Sequence, residues 1–476
     1  MTMRKALIVF LAVILLVSVC YGSLNARFLA VGDDVTVTRQ TLYGDPAAAD
    51  GVHILVRNQY NQRLLWETSL TLGNGAVPET DFTFSNEPIN FYRETEYNGI
   101  SFNIMSHSVF FFQGNRISGH ATQKYAALTE AILEQEKSVG EGETKSFTID
   151  YAQYLDYYPL DGQVVLPELT VAFSEMESWS ETSDQIAKAI NEYFRIPLDG
   201  LYTVEYTYDR TGNSRSHGAS VNVDYYMNAR GVATDHACYF TFNTLKEDGS
   251  VVDTSLIPGG YGIYRIPYDK NGLKLDAIEM VYPLDPASSY ERMELSADGK
   301  RLHLHTLQGD DLMLTVIDLA TMTRLQEVKL GTQSEEWRYD VIEYDDFMLI
   351  VENRTNSDSL DRVTVWEVKS DGTWCYAWTA EMNREVFPEG SNLDLFNFYY
   401  NAVDYQDGKL VILKNRMVKQ EFSWYKDYCD IYVTVYDATG MVYAGSCGWN
   451  LTQVNRLEPY GTKVNPTSQQ ALEVSW

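Results

Sequence analysis

LMLTVID (Leu312–Asp318), RVTVWE (Arg362–Glu367) and IYVTVYD (Ile431–Asp437) are three versions of one stretch, and they decide the fold. Each is an apolar run rich in β-branched and aromatic residues, the composition of a buried strand. Each ends in an acid and has polar turns and further strands around it. The closing acids, Asp318, Glu367 and Asp437, lie 49 and then 70 positions apart. The pattern fills Met293–Gly448 and is punctuated by Asp298-Gly299, Asp371-Gly372 and Asp407-Gly408. Asp-Gly suits a tight hairpin because glycine tolerates positive φ.

Groups of four antiparallel strands at a period of roughly 40–50 residues are the mark of stacked sheets. One such sheet cannot bury both faces alone, so it needs neighbours. The expected sheets are Arg292–Leu330, Tyr339–Met382 and Phe396–Trp449, with a less regular one at Cys238–Tyr282 and an insertion at Met417–Tyr428. This pattern resembles the β-propeller superfamily, in architecture only. Gly-His…Trp-Asp pairs, kelch double glycines and Asp-boxes are absent from the sequence. The resemblance therefore implies a fold and no activity. The acids at the strand ends read as turn punctuation rather than catalytic carboxylates.

Two stretches break the β rhythm. Gln123–Lys137 and Ser183–Phe194 carry apolar residues at helical spacing. In the second, Ile186, Ala189, Ile190 and Tyr193 form the stripe, and Thr182 with Gln185 has the spacing of a capping box. The expected class is mainly β: propeller-like repeats of four-stranded antiparallel sheets, two short helical insertions and an N-terminal membrane anchor. The expected divisions are an anchor or signal at 1–24, a linker at 25–50, a β-rich region at 51–198 and a propeller-like region at 199–476.

The anchor rests on Arg4 and Lys5, which precede an apolar run, Ala6–Cys20, with Ser18 its one polar residue. A basic start before such a run describes an export signal. The sequence favours an uncleaved anchor with the bulk outside over a cleaved signal of a secreted protein. The following TLYGDPAAADG segment (Thr41–Gly51) resembles membrane-anchored proteins of Gram-positive bacteria, which implies location rather than activity.

The chain has 476 residues, 66 acids and 37 bases, for a net charge of −29. Such a surface argues against nucleic-acid binding, which needs a basic face. It suits a self-repelling soluble surface, or one that attracts cations or a basic partner. Five cysteines include no CxxC pair, so a zinc cluster is not expected. Cys429 and Cys447 flank a hairpin and would face one another across it. A disulfide there would need an oxidising compartment, and two buried thiols are the favoured reading.

No motif points to a cofactor. GxxxxGK, GxGxxG after a strand, HExxH and GxSxG are all absent. Pro258–Gly262 reads as a turn. His303 and His305 share one face of a strand and would ligate a metal only with a third ligand from elsewhere. Asp235, His236 and Cys238 lack a partner set, and nothing near Cys375 would activate it. Glu343, Asp345, Asp346, Asp427 and Asp430 read as loop charges, and Asp269–Gly272 as a hairpin turn rather than a calcium loop. Tyr151, Tyr154, Tyr157 and Tyr158 precede Pro159–Gly162. They read first as sheet-edge packing, and second as a surface for sugar rings or a peptide.

No catalytic, cofactor or metal residue is therefore assigned. The leading expectation is a non-catalytic, membrane-anchored extracytoplasmic protein that binds a protein or glycan, or scaffolds an envelope complex. The alternatives are an extracytoplasmic carbohydrate-active hydrolase or lyase, and an accessory subunit of a membrane transporter or sensor.

Overall fold

A computed structural model describes residues 3–33, 36–60, 64–73, 78–84, 98–104, 125–167, 169–175, 180–210, 216–334, 336–354, 361–387, 401–415, 431–449 and 470–476. The chain divides into two compact units, one of Met1–Glu94 with Ser334–Trp476, the other of Thr95–Gln333.

The first unit begins with helix α1, Met3–Asp33. Its stretch Leu7–Leu24 is long and apolar enough to cross a membrane. Three antiparallel sheets follow. One runs β1 (Val37–Gly44), β27 (Gly440–Trp449), β26 (Ile431–Asp437), β25 (Lys409–Asn415) and β24 (Asn401–Gln406). Another is the meander β20 (Trp337–Glu343), β21 (Phe347–Arg354), β22 (Arg362–Val368) and β23 (Trp374–Glu381). The third runs β28 (Gln470–Ser475), β2 (His53–Tyr60), β3 (Leu64–Thr71) and β4 (Glu79–Phe84). Both ends of the chain's β structure are thus stitched into sheets made by the other end. Buried side chains of successive sheets pack face to face: Leu349, Val351, Val363 and Val365 share a core with Leu410, Ile412, Tyr432 and Tyr436.

The second unit holds a further meander, β16 (Ser289–Leu295), β17 (Arg301–Gln308), β18 (Asp311–Asp318) and β19 (Thr323–Thr332). Its larger sheet has the order β14 (Gly272–Leu273), β13 (Gly262–Asp269), β12 (Ala237–Thr241), β11 (Asn228–Ala233), β5 (Gly99–Ile104), β7 (Leu160–Leu166) and β8 (Leu169–Ser174), and β15 (Glu279–Pro283) also pairs with β13. A three-stranded sheet joins β10 (Ser216–Val223), β9 (Tyr202–Asp209) and β6 (Thr144–Asp150). The two inserted helices are α2 (Ala126–Lys137) and α3 (Glu181–Tyr193).

The fold is mainly β, built on propeller-like four-stranded antiparallel sheets with helical insertions. The three repeats of Met293–Gly448 form three successive sheets, and the closing acids of their third strands sit before turns. Asp318 accepts the backbone N–H of Thr321 at 2.8 Å, and Asp437 that of Thr439 at 2.7 Å. Glu367 differs: it accepts the Tyr405 hydroxyl from β24, so it joins two sheets rather than capping a turn. The tightest Asp-Gly turn is Asp407-Gly408, where both residues have positive φ, +51° and +78°. That is the twist a two-residue hairpin demands.

Three expectations need correction. Residues 25–50 are not simply a linker: α1 continues to Asp33, and β1 pairs with β27 from Val37↔Trp449 to Gly44↔Tyr443. A strand there satisfies hydrogen-bonding groups that β27 would otherwise leave at an open edge. No boundary falls at 198/199, because β6 pairs with β9 and β5 pairs with β11 across it. The cap of α3 is Ser180, whose side chain accepts the Ser183 N–H at 3.1 Å, and not Thr182. Asp161-Gly162, though of turn composition, lies inside β7.

Candidate functional site

The second unit is packed on aromatic rings. Phe102, Phe194, Phe240 and Tyr264 lie 4.8–5.6 Å apart, centroid to centroid, in mostly tilted or edge-on contacts. Tyr151, Tyr158, Tyr202, Tyr206 and Tyr225 extend this core. The Tyr151 and Tyr206 hydroxyls bond to each other, and burial pushes the Tyr151 phenol up to about 12. Much of the tyrosine enrichment is therefore structural, with each buried hydroxyl needing a partner.

The four tyrosines singled out in Tyr151–Tyr158 divide into two roles. Tyr151 and Tyr158 are buried in this core. Tyr154 and Tyr157 are half-buried and line a cleft of about 490 Å³. One wall is α3, which presents Asp184, Ala187, Lys188, Asn191 and Glu192. Those positions follow the i, i+3, i+4, i+7, i+8 rule for one helical face. The Tyr154–Tyr157 segment lines it as well. Ser174 and Glu175 at the end of β8, Tyr125 before α2, and Arg195 after α3 complete the lining.

The walls are fixed by hydrogen bonds that the sequence did not advertise. The Asn191 amide accepts the Leu160 N–H at 2.8 Å and donates to the Leu160 carbonyl at 3.0 Å. Ser183 Oγ donates to the Ala172 carbonyl at 2.8 Å. Together they hold α3 against β7 and β8. The tyrosine wall is held in turn by the segment after α3: Tyr157 pairs with Pro197, the Tyr158 N–H donates to Ile196, and the Leu198 N–H donates to Asp156. Tyr125, 1% exposed, donates its hydroxyl to Glu175 Oε2 at 2.5 Å. Burial first, and the Glu175 charge next, raise the Tyr125 phenol far above its ordinary value. It therefore remains a donor at any physiological pH. A buried Ser and Asn on a helix otherwise striped with Ile were the available signal for this arrangement.

A second cavity of about 520 Å³ has a mixed lining, Leu166, Leu169, Ile186, Leu273 and Leu275 on one hand and Thr182, Gln185, Asp235, Asp269, Lys270 and Asn271 on the other.

The other candidate residues lie outside the first cleft, although Asp235 and Asp269–Gly272 line the second cavity. His303 and His305 are buried on β17, next to Glu294 and Arg292 of β16 in register. Among the described residues, no group of three His, Cys, Asp or Glu is placed to hold a metal. Cys238 is buried, and desolvation pushes its thiol up to about 12, the opposite of activation. Asp235 and His236 are exposed beside it. Cys375 Sγ points at the Glu367 carbonyl, 3.6 Å away. In Asp269–Gly272 the Asp269 carboxylate accepts from the Asn271 N–H at 2.7 Å and pairs with Lys274 at 2.9 Å, closing a hairpin. Glu343, Asp345 and Asp346 flank the β20–β21 turn. Cys447 is buried on β27, whereas Cys429, Asp427, Asp430 and the 417–428 insertion lie outside the described residues.

No family model matches the chain, and no curated protein matches it. Solved structures that the chain matches include the Swd1 β-propeller domain of Myceliophteria thermophila, at 8% identity and TM-score 0.25, covering 64% of this chain and 87% of that one. Another is the periplasmic gluconolactonase of Pseudomonas aeruginosa, at 11% identity and TM-score 0.25, covering 58% and 81%. A third is a 6-phosphogluconolactonase-like protein of Bacteroides fragilis, at 10% identity and TM-score 0.27, covering 84% and 95%. Scores this low carry no argument about activity. The propeller-like description rests on the sheet topology itself.

Proposed function

We propose that this chain is a glycan-binding protein displayed outside the cytoplasmic membrane and held there by α1. The observation that carries the binding half is the cleft: two half-buried tyrosines face it, among carboxylates, an amide and a guanidinium. A sugar ring offers an apolar C–H face and a rim of hydroxyls. Aromatic walls with a few fixed polar groups match both. The hydrogen bonds behind each wall mean that little order has to be gained on binding.

The test is titration of the full chain in detergent with a panel of oligosaccharides. At least one is expected to bind, and Tyr157→Ala should weaken it by about tenfold with little change in thermal unfolding, since the lost ring contact is worth on the order of 1 kcal/mol. A panel in which nothing binds would sink the reading.

The anchoring half rests on the exposed apolar side chains of Leu7–Val19 and on Arg4 and Lys5 before them. Alkaline carbonate washing of membranes should leave the chain in the pellet. Its appearance in the soluble fraction would exclude an intact anchor.

A further inference from the structure

We propose that the first unit is seated directly on the lipid headgroups, with α1 built into it as a structural element rather than serving as a tether. This rests on the anchoring half of the reading above and adds where the folded chain sits.

Leu7–Leu24 makes 18 residues of helix. At 1.5 Å per residue that is about 27 Å, close to the roughly 30 Å of a bilayer's hydrocarbon. Side chains from Leu7 to Ser23 are all exposed, as lipid-facing ones would be. Tyr21, 63% exposed, stands near the outer end of the span, where a tyrosine ring favours the headgroup level. Leu24 ends the span and is half-buried. It packs on the core that holds Val52, Ile54, Leu70, Val411 and Val433. One residue therefore belongs both to the membrane span and to the β unit.

The helix does not break there. It runs on to Asp33 and lies against β4, and β1 begins at Val37, already paired with Trp449 of β27. No length of chain is left over for a flexible stalk. The headgroup layer adds about 5–7 Å to each side of the hydrocarbon. A core that touches Leu24 cannot stand clear of so thin a layer. Lifting the unit away would strip Leu24 from its apolar neighbours or break α1, and both cost free energy. The net charge of −29 gives no attraction to anionic lipid, so the seat follows from geometry, and neutral lipid suffices to test it.

The experiment is a distance measurement by double electron–electron resonance on the full chain in phosphatidylcholine nanodiscs. One nitroxide sits on Cys20, exposed in the span, and the other on β4 at Glu79→Cys, with the remaining native cysteines changed to alanine. A single narrow distance is expected. Inserting Gly-Gly-Ser-Gly-Gly between Gly22 and Ser23 leaves the span and the core as they are. It should broaden the distribution by about 12 Å, the root-mean-square reach of five flexible residues. A distribution that is already broad without the insertion overturns the inference. Should the labelled variants fail to fold, limited trypsin digestion of the unmodified chain in phosphatidylcholine vesicles decides. A tether would be cut first at Arg27, freeing the rest of the chain, whereas the seated helix is expected to be cut there no faster than the sheets are. Release at Arg27 as the earliest event overturns the inference. If the chain stays with carbonate-washed membranes but fails these tests, only the seat falls and the anchor stands. If carbonate releases the chain, both fall.

Discussion

Deleting Gln470–Trp476 is expected to unfold the first unit, although only seven residues are removed. Six of them form β28, which pairs with β2 from His53↔Ser475 to Asn58↔Gln470. Leu472 and Val474 lie opposite Val56 and Ile54 and pack on their core, alongside Val411, Val433 and Val435. Trp476 donates its backbone N–H to Asp404 at 2.9 Å, and its ring lies 5.6 Å from the Lys409 ammonium. Without β28, β2 becomes a free edge over an uncovered core. The two half-buried aliphatic side chains contribute about 1 kcal/mol each, and each strand hydrogen bond about 1 kcal/mol. A loss on the order of 5 kcal/mol or more is comparable to the whole stability of a domain. Soluble yield and the urea midpoint measure it, with the expected outcome a chain that aggregates or melts in two separate steps. The ion pairs are a minor part. Arg57 meets both Glu67 and Glu473, but the Glu473 side chain is 52% exposed, so Glu473→Gln should cost less than about 1 kcal/mol. A truncated chain with an unchanged midpoint would show that β28 does not close this sheet.

This strand illustrates what could and could not be read from the chain. Met293–Gly448 was legible because the four strands it contributes to each sheet are consecutive, so a local pattern and a local turn signal suffice. The boundaries at 289–332, 337–381 and 401–449 fall within a few residues of expectation. Pairings between distant segments left no local mark. β28 with β2, β1 with β27, and β5 with β11 are invisible to periodicity, because a strand's alternation says which face is buried and not which strand lies beside it. The cleft was half legible for the same reason. The tyrosines of Tyr151–Tyr158 stood out by type, but which of them face outward depends on α3, and α3 is positioned by Ser183 and Asn191. The acids were too many to rank. Only the fold singles out Glu175, by placing the Tyr125 hydroxyl against it.

Gly162→Ala should destabilise the second unit by about 3 kcal/mol, at the upper end for an added methyl because the obstacle is backbone. Asp161-Gly162 has turn composition, yet Gly162 sits in β7 directly opposite Phe102 of β5. A Cβ at this position would stand 2.1 Å from the Ser101 carbonyl oxygen and 2.6 Å from Phe102 Cβ. Neither can swing aside as the tip of a long side chain would. Phe102 is fully buried, with Phe194 and Phe240 at 5.5 Å and Phe173 at 6.5 Å, so a shift of its strand disturbs the aromatic core directly. The same arrangement recurs on the other side of β5. Gly231 of β11 faces Phe240, and its added Cβ would meet the Tyr239 carbonyl oxygen at 1.9 Å. Glycine opposite phenylalanine at both places leaves room for strands that bring large rings together. Gly331→Ala is the matched control: it too lies on a strand of this unit, with nothing within 4 Å of the new methyl. It should change stability by less than about 0.5 kcal/mol. Chemical denaturation of the two variants measures the difference. Equal midpoints would mean that the sheet can yield at Gly162, and that close approach is not why glycine stands there.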